Sequence, residues 1–210
     1  SPADLVAHAE QLKRNRREGR PVVAVCAGTG CLACGCSEVT AALRHALHER
    51  GLENQVELKT TGCQGPCERG PLLVIQPQSI FYNRLKPRDV DAIVDETLIK
   101  GQLVERLLYR DPATGERIVK MDDIPFFRKQ MRLVSGANVH IDPTAINDYL
   151  ALDGYRSLGT VLDTMTPEVV IDTVKRSGLR GRGGGGFLAG RKWASCRRAA
   201  GDVKYVICNA

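Results

Sequence analysis

The cysteines constrain this chain more than any other feature, because they form close pairs that lie far apart in the sequence. The outer pairs stand in the segments Cys26-Ala-Gly-Thr-Gly-Cys31 and Cys63-Gln-Gly-Pro-Cys67. Glycines beside the thiols let backbone N–H groups turn toward the sulfur atoms. Two such pairs on opposite sides of an amphipathic segment can converge on one metal centre, and we interpret them as the ligands of a [2Fe–2S] cluster.

Two alternatives to this interpretation remain open. Structural zinc is also bound by cysteine pairs with about two to four intervening residues, so the spacing does not exclude zinc. The other alternative is a pair of disulfides. The start Ser1-Pro-Ala-Asp4 lacks a secretory segment and further cysteines are left over, which favours a reducing compartment and a metal site. We therefore expect a cytoplasmic protein.

Two more thiols, Cys34 and Cys36, lie just before Ser37, which we predict as the N-cap of a helix. The helix dipole lowers the pKa of a thiol at such a position and favours reactivity or metal binding. The outer four cysteines already complete a Cys₄ set. We therefore predict that Cys34 and Cys36 are not ligands.

Composition bounds the class of protein. The chain has 210 residues, 43% hydrophobic and 26% charged, which is typical of one or two ordinary globular domains. Aromatic residues make up only 5%, too few for the stacking platforms of single-stranded nucleic-acid binders. The net charge of +6 suits nucleotide phosphates or acidic partner subunits. No apolar run approaches the length of a membrane span, so we expect no membrane span. Because aromatic residues are few, we expect no nucleic-acid partner either.

The hydrophobic patterns predict a compact α/β unit around the cysteines. Residues 3–20 fit a basic amphipathic helix, and Val22–Val25 is a strand that ends at Cys26. A helix from Ser37 stops at Gly51. The remaining elements are strands over 56–60, 72–75 and 79–82, and a helix from Pro87 to Gly101.

The following residues are less regular. Asp111-Pro112-Ala113-Thr114-Gly115 predicts a turn, and we expect short helices over 142–150 and 155–162. Residues 111–160 are interpreted as a linker. Thr166-Pro167-Glu168 is a stronger start signal, for a helix that runs to about Arg176.

A glycine loop follows this helix. Five glycines stand within residues 181–186, flanked by Phe187, Arg180, Arg182, Arg191 and Lys192. Such a loop exposes backbone N–H groups to an anion, and the cations add charge. The pattern G-x-G-x-x-G is present, but it follows a helix rather than a strand, so it is weak as a dinucleotide fingerprint. A flexible linker would carry serine instead of aromatic and cationic side chains. The last residues, 204–210, are predicted as a strand.

At these residues the chain resembles a known family. The segments Ser177–Trp193 and Tyr205–Ala210 resemble the FMN- and NADH-binding flavoprotein subunit of respiratory complex I, of NAD(P)-linked and electron-bifurcating hydrogenases, and of NAD-dependent formate dehydrogenases. The front half resembles the thioredoxin-like [2Fe–2S] ferredoxin domain that hydrogenase-type members carry before the flavin domain. This fusion favours the hydrogenase-type beta subunit.

The resemblance implies a role for particular residues. Cluster ligation is implied for the outer cysteines: Cys26, Cys31, Cys63 and Cys67. Contacts with FMN and NADH are implied along the glycine loop and beyond it: Gly181, Arg182, Gly183, Gly184, Gly186, Phe187, Lys192 and Asn209. Among these, Lys192 would lie near the FMN phosphate and Phe187 would stack on the adenine of NADH. No side chain is expected to act as a catalytic acid or base.

The resemblance also implies an architecture and an activity. We expect an α/β (α+β) chain: a basic helix over 1–20, a thioredoxin-like [2Fe–2S] domain over 21–110, a helical linker over 111–160, and over 161–210 the start of an FMN-binding Rossmann-like domain. The resemblance implies that the chain is incomplete, with [4Fe–4S] clusters in the part that is missing, and that these 210 residues alone do not oxidise NADH.

The implied activity is that of a diaphorase-type subunit, which passes electrons between NAD(P)H, FMN and iron–sulfur clusters. Its expected partners are a small [2Fe–2S] gamma-type subunit and an iron–sulfur catalytic alpha-type subunit. A non-catalytic [2Fe–2S] electron carrier or docking subunit is the alternative.

Overall fold

We analysed a computed structural model of the chain, which describes residues 1–16, 20–133, 135–205 and 207. The chain divides into a larger compact unit, 8–154, and a smaller unit made of 1–7 and 155–210. The domain boundaries at residues 20, 110 and 160 stay predictions.

The larger unit is built on a four-stranded mixed sheet in the order β2-β1-β3-β4. Its strands are β1 (Val22–Cys26), β2 (Glu57–Thr61), β3 (Leu73–Gln76) and β4 (Ile80–Tyr82). β1 runs parallel to β2 and antiparallel to β3, and β4 is antiparallel to β3. All four strands were predicted from the apolar runs of the sequence. The α/β class is thereby confirmed.

The helices of the first half of the chain largely match the predictions. They are α1 (Pro2–Arg16), α2 (Thr29–Ala33) and α3 (Cys36–Glu49). The predicted cap is wrong, because α3 begins at Cys36 and Gly35 precedes it in the left-handed conformation with φ 90°. Gly51 ends the helix region at φ 64° as expected. The short helix α2 was not predicted.

The predicted helix from Pro87 is present as three continuous segments. A 3₁₀ turn (Pro87–Asp89) leads into α4 (Val90–Ala92), and a π-helical segment (Ile93–Ile99) completes it. The apolar face of this helix is buried at Val90, Ile93 and Val94. Buried Tyr82 anchors it, because the Tyr82 hydroxyl lies 2.7 Å from Thr97 Oγ1.

The stretch predicted as a linker contains more structure than expected. β5 (Tyr109–Arg110) and β6 (Arg117–Ile118) form a hairpin around the predicted turn. Helices α5 (Pro125–Arg128) and α6 (Ile146–Leu150) follow. Four side chains of this stretch belong to the hydrophobic core of the sheet: Met121, Ile124, Phe127 and Val139.

Lys59 is the least expected residue of the sheet. Its side chain is 7% exposed on β2, where the alternation of the sequence predicts that Leu58 faces the core. Lys59 Nζ lies 2.9 Å from a carboxylate oxygen of Glu57 and 2.8 Å from one of Asp148. Burial of this ammonium group is therefore compensated by ion pairs.

The smaller unit contains α7 (Arg156–Thr164), α8 (Pro167–Arg176) and α9 (Ala189–Arg198). The Thr166 cap is confirmed, since its side chain accepts a hydrogen bond from the Val169 amide at 3.3 Å. Helices α8 and α9 pack against each other, and Gly190 permits a close approach to the Lys175 backbone. The predicted strand over 204–210 lies largely outside the described residues. Among the helices that the structure describes, none has the length and apolar character needed to cross a bilayer.

Candidate iron–sulfur and cofactor sites

The sheet topology brings the two predicted cysteine pairs to one edge. Cys26 ends β1 and is paired in register with Thr61, the last residue of β2. Because β1 and β2 are parallel, the loop after β2 emerges beside Cys26. This loop carries Cys63 and Cys67, and α2 places Cys31 on the same side.

The four thiols lie in mutual contact but differ in exposure. Cys63 Sγ lies 3.6 Å from Cys67 Sγ. Cys26 interacts with the thiols of both Cys31 and Cys63. Cys26 and Cys31 are fully buried, whereas Cys67 is half-buried and Cys63 is exposed. The arrangement therefore has a buried pair and a pair that faces solvent.

The contacts between the thiols shift the pKa of three of them. The Cys31 thiol hydrogen-bonds to Cys26 and, with backbone N–H groups of Gly28 and Gln64, lowers the pKa of Cys26 to about 6. The same hydrogen bond raises the pKa of Cys31. The contact with Cys63 raises the pKa of Cys67. Cys26 is thus the thiol best placed to be a thiolate, the form that binds metals.

Three glycines let the thiol-bearing loops approach one another. A Cβ at Gly28 would lie 2.9 Å from Cys63 Cβ, and a Cβ at Gly30 would lie 2.9 Å from Cys67 Cβ. A Cβ at Gly70 would lie 3.0 Å from Cys31 Sγ. Only residues without side chains fit between these loops.

This donor set fits a two-iron centre. Four thiols arranged as two pairs are the ligands that [2Fe–2S] clusters use. The glycine cradle brings the thiol-bearing loops close together, and the lowered pKa of Cys26 favours the thiolate form that binds metals.

Three residues near the thiols were missed by the sequence analysis. Gln64 is completely buried and donates to Thr61 Oγ1 at 3.0 Å and to the Ala24 carbonyl at 3.4 Å. Asn138 donates to the Cys63 carbonyl at 3.1 Å. Phe126 packs against Gly65, where a Cβ would lie 2.7 Å from the ring. The position of Gln64 inside the Cys63–Cys67 segment could have indicated it, whereas Asn138 and Phe126 are distant in sequence and carry no such signal.

Cys34 and Cys36 differ from each other in environment. Cys34 is exposed, and Cys36 is 1% exposed at the start of α3. Burial raises the pKa of Cys36. Their assignment as non-ligands stays a prediction.

The glycine loop of the smaller unit connects α8 to α9. It is closed by hydrogen bonds from the Gly181 amide to the Phe187 carbonyl at 2.8 Å and from the Ala189 amide to the Leu179 carbonyl at 2.9 Å. Within the part of the chain that the structure describes, no non-neighbouring atom lies within 4 Å of a Cβ placed on any glycine from 183 to 186. A ligand can therefore approach this backbone without meeting a side chain at the glycine positions, and the Gly186 carbonyl accepts a hydrogen bond from Arg180 Nη1 at 3.0 Å.

The flanking residues predicted for cofactor binding lie around this loop. Phe187 is 62% exposed. Arg182 is exposed, and Lys192 stands in the first turn of α9. The N-terminus of such a helix, cations and free amides favour an anionic group. Asn209 lies outside the described residues.

A mixed sheet that presents two cysteine pairs at one edge defines a class of iron–sulfur protein. The family model described as thioredoxin-like [2Fe–2S] ferredoxin matches residues 8–98. The chain is 31% identical over 77 residues to the 2Fe–2S ferredoxin of Clostridium pasteurianum, covering 37% of this chain and 76% of that protein. The chain therefore belongs to the thioredoxin-like [2Fe–2S] ferredoxin family.

Longer relatives are also similar to this chain. It is 53% identical over 83 residues to the NADP-reducing hydrogenase subunit HndC of Solidesulfovibrio fructosivorans. This alignment covers 40% of this chain and 17% of that protein. It is 46% identical over 69 residues to an NADH-quinone oxidoreductase subunit of Rhizobium meliloti (strain 1021), which covers 33% of this chain and 16% of that protein. The matched part is thus about a sixth of the length of each of these two relatives.

Proposed function

We propose that Cys26, Cys31, Cys63 and Cys67 hold a [2Fe–2S] cluster through which the chain transfers electrons. The observation that carries this proposal is the glycine cradle, which leaves only backbone between the two cysteine loops. When bound, the cluster takes up and releases one electron at a time. Cys26 and Cys31 exclude water on the buried side, and Cys63 and Cys67 face solvent, where a partner can approach.

The ligand assignment is tested by replacing one exposed thiol. Cys63→Ser should remove most of the bound iron and the visible absorption, because this residue joins the loop after β2 to the site. Cys34→Ser is the matched control and should leave iron content and spectrum unchanged. Full iron retention in Cys63→Ser, or cluster loss in Cys34→Ser, would contradict the ligand list.

We further propose that the glycine loop binds FMN and NAD(P)H. The names of the two longer relatives, an NADP-reducing hydrogenase subunit and an NADH-quinone oxidoreductase subunit, support nicotinamide-linked chemistry. FMN supplies the conversion of a two-electron hydride into single electrons. In this proposal Gly181 and Gly183 offer backbone to the flavin, and Arg182 and Lys192 offer positive charge to its phosphate.

The nicotinamide nucleotide would occupy the outer side of the same loop. Gly184 and Gly186, at φ 99° and 57°, bend the backbone there without a side chain that blocks the approach. The ring of Phe187 is exposed and available for stacking. Asn209 is assigned to the flavin side on the resemblance alone.

On this basis the protein is a diaphorase-type subunit of a cytoplasmic hydrogenase, formate dehydrogenase or complex I-like oxidoreductase, with gamma-type and alpha-type iron–sulfur subunits as partners. Flavin binding is measured by titrating the chain with FMN and following quenching of flavin fluorescence. Lys192→Glu should weaken binding at least about tenfold, because it replaces a cation with an anion beside a phosphate. Lys100→Glu, which lies in the other unit, is the control. Equal FMN affinity of the two variants would contradict the proposed flavin site.

A second candidate is a one-electron carrier without flavin chemistry. The match to the Clostridium pasteurianum ferredoxin, of which the chain covers 76%, favours this candidate. Visible spectra of the chain purified in its multi-subunit complex separate the two functions. Flavin absorbance that NADH bleaches supports the diaphorase, and cluster absorbance alone supports the carrier.

A further inference from the structure

The larger unit contains a strongly basic pocket beside the cysteine site. Its volume is about 320 Å³, and six cationic side chains line it: Arg69, Arg84, Lys86, Arg88, Arg106 and Arg110. Asp89 is the acidic residue in the lining, and this buried carboxylate is ion-paired with Arg106. The pocket therefore carries a large excess of positive charge.

Much of this charge is available to a partner. Arg84, Lys86 and Arg88 are exposed, and none of them forms an ion pair within the part of the chain that the structure describes. Arg69 is less free, since its Nε lies 3.9 Å from a carboxylate oxygen of Glu68. Three cations on the rim thus remain uncompensated.

The pocket wall is continuous with the loop that carries the thiols. Arg69 ends the 3₁₀ turn that begins at Cys67, and its carbonyl accepts a hydrogen bond from the Arg84 amide at 2.8 Å. The next residue, Gly70, borders on Cys31 Sγ. The Arg69 guanidinium is fixed over the Tyr109 ring, 5.3 Å from its centroid. Any molecule in the pocket would therefore lie beside the cysteine site.

We propose that this basic pocket is the docking surface for the acidic face of a one-electron redox partner. The inference rests on the proposed iron–sulfur function. Docking places the partner's redox centre next to the Cys67 loop, and one electron passes between the two centres without a bond or a proton being transferred. Complementary charge also raises the rate of encounter, an effect that falls with ionic strength.

The shape of the pocket favours a protein surface over a small phosphate compound. Small-molecule sites bury most of the ligand, but the cations at residues 84, 86 and 88 project from an exposed rim. Several carboxylates on one protein face can pair with this rim at the same time. Short-lived redox complexes bury small areas and depend on such charge pairing.

Binding is tested with a fluorescein-labelled octaglutamate peptide and the cluster-loaded chain, by fluorescence anisotropy at low salt. Arg84→Glu/Arg88→Glu should weaken binding at least about tenfold. The control Arg14→Glu/Arg44→Glu changes net charge equally outside the pocket and should weaken it less than about twofold. Lys86→Gln gives a milder test and should weaken binding about twofold. Equal effects of the pocket and control pairs, or displacement of the peptide by micromolar pyrophosphate, would overturn the proposal.

A second experiment, with the chemically reduced chain, tests whether the basic pocket lies where electrons leave the cluster. Its oxidation by ferricyanide should slow at least about tenfold in Arg84→Glu/Arg88→Glu at low ionic strength and converge with the unmodified chain at high salt. Oxidation by hexaammineruthenium(III), a cation, should not slow. An unchanged ferricyanide rate would overturn the proposal while an intact visible spectrum leaves the iron–sulfur function standing. Absence of iron from every variant would instead contradict the iron–sulfur function.

Discussion

Substitution of Gly30 by alanine tests the physical basis of the cysteine site most directly. Gly30 lies in α2, without a left-handed φ. In an ordinary helix this change stabilises by about 0.5–1 kcal/mol, because glycine loses more backbone entropy than alanine on folding. Here the new methyl group would lie 2.9 Å from Cys67 Cβ and 3.3 Å from its Sγ. This close contact therefore opposes the stabilisation that alanine usually gives to a helix.

The size of the effect follows from these distances. Carbon atoms pack best at about 3.5–4.0 Å, so Cys67 has to move by roughly 0.6–1.1 Å. Overpacking of this kind costs about 1–3 kcal/mol, so we expect a net loss of roughly 0.5–2 kcal/mol in the metal-free chain. Metal sites hold their ligand distances within about 0.2 Å. We therefore expect a larger effect on cluster binding than on folding.

The assay compares iron and sulfide content, visible circular dichroism and urea unfolding of the metal-free chain. Gly30→Ala should hold less than about half of the iron and unfold at lower urea. Gly136→Ala is the matched control, because its new Cβ would lie 3.8 Å from Arg132 Cβ, an ordinary contact. Full iron content with an unchanged spectrum in Gly30→Ala would refute the reasoning.

Three further substitutions test the stability of the larger unit. Lys59→Met should lower the free energy of unfolding by roughly 3 kcal/mol, because it removes the ammonium group that is paired with the partly buried carboxylate of Asp148. In urea unfolding, Lys59→Met/Asp148→Asn should recover most of this loss, and no recovery would contradict the role of the pair. Hydrogen bonds from Arg50 lower the pKa of Asp95, so this pair stabilises above the unfolded pKa and is lost as pH falls through the folded pKa. Asp95→Asn should therefore reduce the difference in urea midpoint between pH 7 and pH 3, and an unchanged difference would contradict this linkage. Asn138→Ala removes the hydrogen bond to the Cys63 carbonyl and should lower stability by about 0.5–1.5 kcal/mol. Asn54→Ala, at an exposed turn position, is the control, and equal urea midpoints for the two variants would contradict a specific contact.

The elements around the cysteines could be predicted because their signals are local. The run Val22–Val25 and the stripe of α3 bury side chains at the spacing of a strand and a helix, and both are present. The start of α3 could not be placed from Ser37 alone. Gly35 takes a left-handed conformation that ends α2 and lets α3 begin at Cys36. Five-residue α2 contains a glycine and has no side-chain hydrogen bond at its N-cap, so propensity does not predict it.

Burial that depends on distant partners could not be predicted. The alternation in β2 predicts that Leu58 faces the core, and Leu58 does pack against it, yet Lys59 is the more buried side chain. Two carboxylates compensate the ammonium group there: Glu57, in the same strand, and Asp148, which lies 89 residues later in the chain. No pattern within β2 contains the position of Asp148, because this second carboxylate belongs to α6.

Contacts between residues that are distant in sequence also support the cysteine site, and the residues from 124 to 139 provide them. Their sequence has a proline break and a basic run, without the periodicity of a long element, which favoured a linker. In the structure Ile124 and Phe127 join the core, Phe126 packs on Gly65, and Asn138 bonds to the Cys63 carbonyl. The exposed cysteine pair is thus supported by a segment more than 50 residues away in the chain. Cysteine spacing can indicate candidate ligands, but the contacts that hold their loop in place arise only from the fold.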